Sequence, residues 1–439
     1  MSALPKGLIS REMTKGVAGV TTVRNTLLPV TQAPFAPDGN NRVIFEIPSL
    51  HNAFLTQRSY FTFTLKTNAN TTKFFRGPMC PFKRMVVKAP NGQILEDLND
   101  FHLFTKVKDV LYKSKCDLES EFATTKSSLA IDQGLWDTEQ QTFNEGSGVP
   151  VIFKPHSGLL GEEQQFFIPV NQIASSAGYA LHIELHLLDA QDFVYSTDAT
   201  VPSYQITAMT YETELAQLSN ELMRDVIGTK QIAIPYKYVR SHHNQLHGQQ
   251  SYNVRITDAA QNLENTYSII HQPQAIQTSV SSANEHSSNY EPTTFYGGRE
   301  TWEGDDIGGA DDDLTKYVFK YGTKFFPNAP VELDGKNKQL ALQSAISQLG
   351  LRNPVASQPL YGTNNMGTNW DTRDFVLVNS FKATGDRVEN GINTASTSAP
   401  IEIDLSFAQA TQNKQLITFV EQANTLYIKN DGISSMVKG

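Results

Sequence analysis

Residues 60–66 read Tyr60-Phe61-Thr62-Phe63-Thr64-Leu65-Lys66. Phe61, Phe63 and Leu65 fall on one side of an extended chain; Tyr60, Thr62, Thr64 and Lys66 fall on the other. Successive side chains of a strand point to opposite faces, so this is a strand with one buried and one wet face. The pattern returns at Leu181–Leu187, where leucines and Ile183 alternate with His182, Glu184 and His186. It returns again at Ile401–Phe407, against Glu402, Asp404 and Ser406. Sheets with one wet face are characteristically antiparallel. Weaker strands read at Arg42–Ile47, Arg84–Lys88, Gln165–Val170, Tyr204–Met209, Gln231–Val239, Ser251–Thr257, Tyr317–Tyr321, Asp374–Phe381 and Asn424–Lys429. Asn91-Gly92, between Arg84–Lys88 and Ile94, predicts a tight type I′ hairpin.

Helical spacing is rarer. Leu98, Phe101, Phe104, Val107 and Leu111 recur at three to four residues, with Asp97 placed as N-cap. Leu215, Leu218, Leu222, Val226 and Ile227 make a second stripe that closes at Gly228. Leu340, Leu342, Ile346 and Leu349 make a third, closing at Gly350. The second stripe lies near the midpoint and reads as the connector between two domains. Residues 117–164, 282–315, 351–373 and 383–399 read as long loops, expected at one end of each sandwich and in subunit contacts.

The chain has 439 residues, and single cores stop growing at roughly 250–300. Two β-sandwich domains are therefore expected. Charged residues make up 18%, below the average of about 25%. Uncharged polar surface carries no ionic desolvation cost, which suits packing against other copies. The net charge of −9 and the lack of a basic stripe argue against genome wrapping and sequence-specific nucleic-acid binding. Lys6, Arg11, Lys15 and Arg24 make the N-terminal arm mildly basic. That arm reads as a flexible tail, or as an inward arm touching genome, membrane or a neighbouring subunit. Cys80 and Cys116 are not a disulfide framework and read as reduced and buried. With no secretory h-region and no apolar run of about 20 residues, the expected product is soluble, intracellular and not secreted.

No catalytic signature stands out. Trp302–Asp313 is an acidic, glycine-containing stretch, and Asp305, Asp306, Asp311, Asp312 and Asp313 are its candidate Ca²⁺ ligands. Their spacing does not follow the EF-hand pattern, so a solvated loop tip is the preferred reading. His242 and His243 point to opposite faces of an extended chain, so they and His247 make a poor zinc site. Glu162-Glu163 and Asp189 with Asp192 are carboxylate pairs a glycosidase would use only across a cleft. No cofactor is implied.

The stretch VIFEIPSLHNAFLTQRSYFTFTLK (Val43–Lys66), followed by KRMVVKAPNGQILEDLNDFHLFTKVKDVLY (Lys83–Tyr112), resembles the double jelly-roll major capsid proteins of tailless icosahedral DNA viruses. Gly92, Leu95 and Glu96, then Leu98–Leu111, look like that family's turn and amphipathic helix. Glu214–Gly228 looks like its connector, and Asn424–Gly432 like its last strand. The resemblance implies an all-β chain with a few helices, built as two tandem eight-stranded jelly rolls. The expected layout is an arm at 1–24, a first roll at 25–215, a connector helix at 216–228, a second roll at 229–432 and a tail at 433–439. It further implies a non-enzymatic homotrimer of pseudo-hexagonal outline in the virion, made in the host cytosol or nucleus. Its partners would be neighbouring trimers, vertex and minor capsid proteins, and an internal membrane or genome through the arm. A minor vertex or spike protein and a carbohydrate-active β-sandwich are the alternatives.

Overall fold

The computed structural model describes residues 20–439 except 70–71, 130–147, 175–177, 197–200, 228–230, 272–294, 296–313, 334–335, 352, 358–373, 382–390, 396–399, 412–413, 430–431 and 438–439. The strands of the first half are β1 (Val20–Leu27), β2 (Arg42–Pro48), β3 (Ala53–Leu55), β4 (Tyr60–Thr67), β5 (Thr72–Phe74), β6 (Phe82–Lys88), β7 (Ile94–Asn99), β8 (Val149–Phe153), β9 (Ile168–Pro169), β10 (Tyr179–Leu187), β11 (Val194–Ser196) and β12 (Tyr204–Leu218). Those of the second are β13 (Ile232–Leu246), β14 (Ser251–Ile256), β15 (Leu263–His271), β16 (Leu314–Tyr321), β17 (Lys324–Glu332), β18 (Leu377–Ser380), β19 (Ile401–Phe407), β20 (Lys414–Lys429) and β21 (Gly432–Val437). The helices are α1 (Phe101–Tyr112), α2 (Lys115–Thr125), α3 (Val170–Ala174), α4 (Ala190–Phe193), α5 (Asn220–Ile227) and α6 (Lys336–Leu349). Among the described residues, no helix is long and apolar enough to cross a membrane.

The two halves share one topology. In the first, β1 lies along one side of β12 and β4 along the other, with β8 beyond β4. The short β3 continues β4 along the same side of β12 and pairs β9. The opposing sheet runs β2-β10-β6-β7. In the second half the sheets run β13-β20-β15-β18 and β14-β19-β16-β17. Setting aside the short β3, β5, β9, β11 and the terminal β21, strands counted in order within each half pair as 1-8-3-6 and 2-7-4-5. Every pairing between these named strands is antiparallel. Each half is an eight-stranded sandwich with helix inserted between its fifth and sixth strands: α1 and α2 in the first, α6 in the second.

Aromatic rings join the sheets of the first sandwich. Phe45 of β2 sits 5.6 Å from Phe61 and 6.0 Å from Tyr211, and Phe61 stacks on Tyr211 at 4.4 Å. Phe63 meets Phe82 edge-on at 5.7 Å. These separations are those at which aromatic pairs add about 0.5–1.5 kcal/mol beyond area burial. The alternation seen at 60–66, 181–187 and 401–407 is therefore the inward face of real strands. β15 follows a different rule, since all 9 of its residues are buried and it has no wet face.

Several expectations need correction. The helix expected from Leu98 starts at Phe101, because Ile94–Asn99 pairs with β6 and Asp97 binds Arg84 at 2.7 Å instead of capping. Asp100 takes the cap position in a left-handed conformation, φ 52°. The connector helix expected at 216–228 is shorter: Leu215 and Leu218 belong to β12, held by pairing with β1, and α5 starts at Asn220. The arm expected at 1–24 gives Val20–Arg24 to β1, and the tail expected at 433–439 gives most of its length to β21, which pairs β20. The Asn91-Gly92 turn is not type I′, which needs two positive φ angles; only Gly92, at 81°, has one. The loop expected at 117–164 holds most of α2, opened by a reciprocal Ser114–Asp117 capping box, and β8. Cys80 is buried as expected, but Cys116 lies exposed on α2.

Candidate functional site

The most heavily built polar region is the seam between the sandwiches. α1 lies in it with two working faces. Phe101 turns towards the first sandwich and meets Phe153 edge-on at 5.8 Å. Phe104, Lys108 and Tyr112, four residues apart and so on one helix face, turn towards the second. Phe104 packs on Phe419 at 5.3 Å, and the Tyr112 and Tyr267 hydroxyls are 2.7 Å apart. Lys237, Phe419, Glu421 and Tyr267 share one face of β13-β20-β15, because alternate and directly paired residues do. That face is the one α1 covers, and the opposite face, with Thr418 and Ser268, is buried as well. This double cover explains why β15 lacks the alternating pattern.

Four charges alternate in sign at the centre of the seam. Lys108 Nζ lies 2.8 Å from Glu421 and 3.1 Å from Glu163. Lys237 Nζ lies 3.2 Å from Glu163 and 3.6 Å from Glu421. Lys108 and Glu421 are 2% and 1% exposed, so water screens neither. Burial alone would lower the Lys108 pKa and raise those of the carboxylates. The mutual attraction reverses both: Lys108 is held above the ordinary lysine value, and Glu163 and Glu421 below the ordinary carboxylate value. The Lys108 ammonium also sits over the rings of Tyr112 (4.5 Å) and Tyr267 (5.2 Å). A second buried cluster joins Asp374 of the second half to Lys106 at 2.7 Å and Arg76 at 3.2 Å of the first. At the near end of α1, His243 binds Asp100 at 2.7 Å.

Glu96 anchors the loop that supplies Glu163. Its fully buried carboxylate accepts Ser157 Oγ–H at 2.5 Å and Gly158 N–H at 2.8 Å. The neighbouring Leu95 carbonyl accepts the Tyr236 hydroxyl across the seam at 2.9 Å. Burial, opposed by those donors, pushes the Glu96 pKa up to about 7 from an ordinary 4.5. The folded state then holds the Glu96 proton more tightly than the unfolded chain. This contribution to stability is complete below pH 4.5 and lost as pH rises towards about 7. We expect Glu96→Gln to flatten the fall in stability across that window, worth up to about 3 kcal/mol. Denaturant unfolding at closely spaced pH values measures it, and a variant with the wild-type slope would show that Glu96 is not the titrating group.

The fold recurs in solved structures. PBCV-1 VP54, in a crystal structure fitted into a cryo-EM reconstruction of the virophage Sputnik, aligns with 95% of this chain and 97% of its own, at TM-score 0.59 and 11% identity. The Faustovirus major capsid protein aligns over 93% of this chain and 91% of its own, at TM-score 0.59 and 11% identity. The mavirus major capsid protein aligns over 94% and 89%, at TM-score 0.53 and 10% identity. The fold is the double jelly roll. No protein-family model matches the sequence, and no curated protein matches it either.

The double jelly roll scatters the residues singled out as candidate chemistry. Asp305, Asp306, Asp311, Asp312 and Asp313 lie outside the described residues. His242 binds Asp258 at 3.3 Å and His243 binds Asp100, so the two rings reach different carboxylates. Among the described residues, no group of three or more His, Cys, Asp or Glu is placed to hold a metal ion. Glu162 pairs with Lys154 at the surface, whereas Glu163 turns into the seam and is neutralised by two lysines. Asp189 pairs with Lys83, and burial raises Asp192 to about 6. The sequence reading missed Lys106, Lys108, Asp374 and Glu421. Lys106 and Lys108 flank the apolar stripe of α1, where charge ordinarily marks the solvated side. The available signal was Glu421, a charge directly following the largely apolar run Leu416–Val420.

Proposed function

We propose that this chain is the major capsid protein of an icosahedral DNA virus, assembling as a homotrimer of pseudo-hexagonal outline and carrying no catalytic residue. The observation that carries this reading is the alignment with the Faustovirus and mavirus major capsid proteins over 93% and 94% of this chain. A match over that share of the chain takes in most of both rolls. The seam supports it physically. A tile in a shell keeps its two halves at one angle, and buried ion pairs with matched partners specify one arrangement. The division we propose is a first roll over 20–218, a connector through α5, and a second roll over 232–437. The N-terminal arm would face the particle interior, and neighbouring trimers, vertex proteins and minor capsid proteins would be the partners.

Native mass spectrometry of the purified chain tests the oligomer. We expect the three-copy species to dominate at micromolar concentration. A chain that stays monomeric up to its solubility limit would overturn the reading. Negative-stain images of that species should show six similar lobes.

A further inference from the structure

Glu421 holds a second group at the centre of the seam. Asn265 stands directly opposite it on β15, so both side chains lie on the sheet face that α1 covers. Asn265 Nδ2 donates to Glu421 Oε1 at 2.7 Å. Lys108 Nζ donates to the other oxygen, Oε2, at 2.8 Å. One carboxylate therefore bridges a primary amine of the first roll and a carboxamide of the second. Lys108 and Asn265 are each 2% exposed and Glu421 1%. The ring of Phe104, 5.5 Å from the amine, joins those of Tyr112 and Tyr267 in walling it from water. Asn265 Oδ1 is buried and has no hydrogen-bond partner among the described residues.

We propose that Lys108 and Asn265 join their side chains in an amide bond, tying α1 of the first roll covalently to β15 of the second. The parts required are an amine nucleophile, an acyl carbon held close to it, and a proton carrier that touches both. Glu421 takes one proton from the Lys108 ammonium, and the neutral amine attacks Asn265 Cγ. In the tetrahedral intermediate Glu421 passes that proton to Nδ2 and takes a second from Nζ. The Cγ–Nδ2 bond then breaks as the new Nζ–Cγ bond becomes an amide. The departing ammonia collects the second proton and leaves as ammonium, and Glu421 is restored. No oxidant, reductant or co-reactant is consumed.

The surroundings select these two residues. Lys237 lies farther from Glu421, at 3.6 Å, and is 26% exposed, so Lys108 is the better desolvated nucleophile. Glu163, 3.1 Å from the same amine, is a carboxylate and offers no leaving group that an amine displaces. Exclusion of water protects Asn265 Cγ from hydrolysis and narrows the gap between the ion pair and the neutral pair that reacts. The two carboxylates that keep Lys108 charged also slow its deprotonation. Closure therefore follows folding, and the ion pair is the state of the newly folded chain. It is one event per chain, without turnover or substrate, and it goes beyond the capsid reading without depending on it.

Mass spectrometry of the purified full-length chain, held folded at neutral pH and sampled over days, tests the bond. The intact mass should fall by one ammonia, and a tryptic digest should contain a branched peptide joining Lys108 to Asn265. Glu421→Gln and Asn265→Ala should keep their full sequence masses at this site throughout, whereas Lys237→Arg should close as the wild type does. The exposed Asn91-Gly92 turn loses the same mass when it forms a succinimide, so the branched peptide decides and the intact mass alone does not. A wild-type digest that keeps Lys108 and Asn265 on separate peptides at every time overturns the inference, and this reading needs no variant to fold. Closure of Glu421→Gln at the wild-type rate overturns it as well, by removing the proton carrier. Neither result bears on the oligomer, so the self-assembly reading fails only by its own test.

Discussion

Lys108→Met should cost about 3–5 kcal/mol, the usual loss when one partner of a buried ion pair is removed. The substitution leaves the buried Glu421 facing only Lys237, at 3.6 Å and on the rim of the seam. Glu163 keeps Lys237 and is 33% exposed, so it contributes less. The loss should concentrate in docking of the rolls, because Lys108 belongs to one and Glu421 to the other. Denaturant unfolding followed by fluorescence and by near-ultraviolet dichroism should therefore separate into two transitions, whereas the wild type should show one. Lys108→Met combined with Glu421→Leu should recover most of the loss, since an apolar pair replaces a matched ion pair at little net cost. The cluster also sets an acid limit. Glu163 and Glu421 are held below their ordinary values, so their contribution is present above pH 4.5 and lost as pH falls further. A single variant within about 1 kcal/mol of wild type would show that the seam does not depend on this ion pair.

The sandwiches were legible in the sequence wherever one sheet face meets water. At Tyr60–Lys66 and Ile401–Phe407 the alternation reports burial directly. It fails at β15, where α1 covers the second face and every position is buried. It fails at Leu215 and Leu218, whose helical spacing was overridden by pairing with β1. The seam was less legible than the fold. A lysine beside an apolar helical stripe looks solvated until a second domain arrives to cover it. What identifies Lys108 is Glu421, more than 300 residues away in the chain. No local pattern carries that information. The duplication of the rolls is invisible for a related reason: strand order is repeated, and residues are not.

Gly158→Ala should be as damaging as the loss of Lys108, by a different route. A methyl group at Gly158 would lie 1.7 Å from the carbonyl oxygen of Lys237 and 2.7 Å from its carbonyl carbon. Those are backbone atoms of β13, which is paired with β20 from Ile232 to Leu246 and has no slack. The loop must therefore yield. Moving it pulls Gly158 N–H and Ser157 Oγ–H away from Glu96, whose buried carboxylate has these as its close donors. Overpacking costs about 1–3 kcal/mol, and each lost bond to a charged group about 1.5–3. The sum should reach about 3 kcal/mol or more at pH 8, where Glu96 is ionised in the wild type. At pH 5 Glu96 is protonated, and the penalty should shrink towards the steric part alone. Gly39→Ala is the matched control, because nothing lies within 4 Å of an added methyl there and φ is not positive. It should change stability by less than about 0.5 kcal/mol at either pH. A Gly158→Ala chain as stable as Gly39→Ala would mean that the rolls do not meet at this point. A penalty equal at pH 5 and pH 8 would mean that they meet there without Glu96 holding the loop.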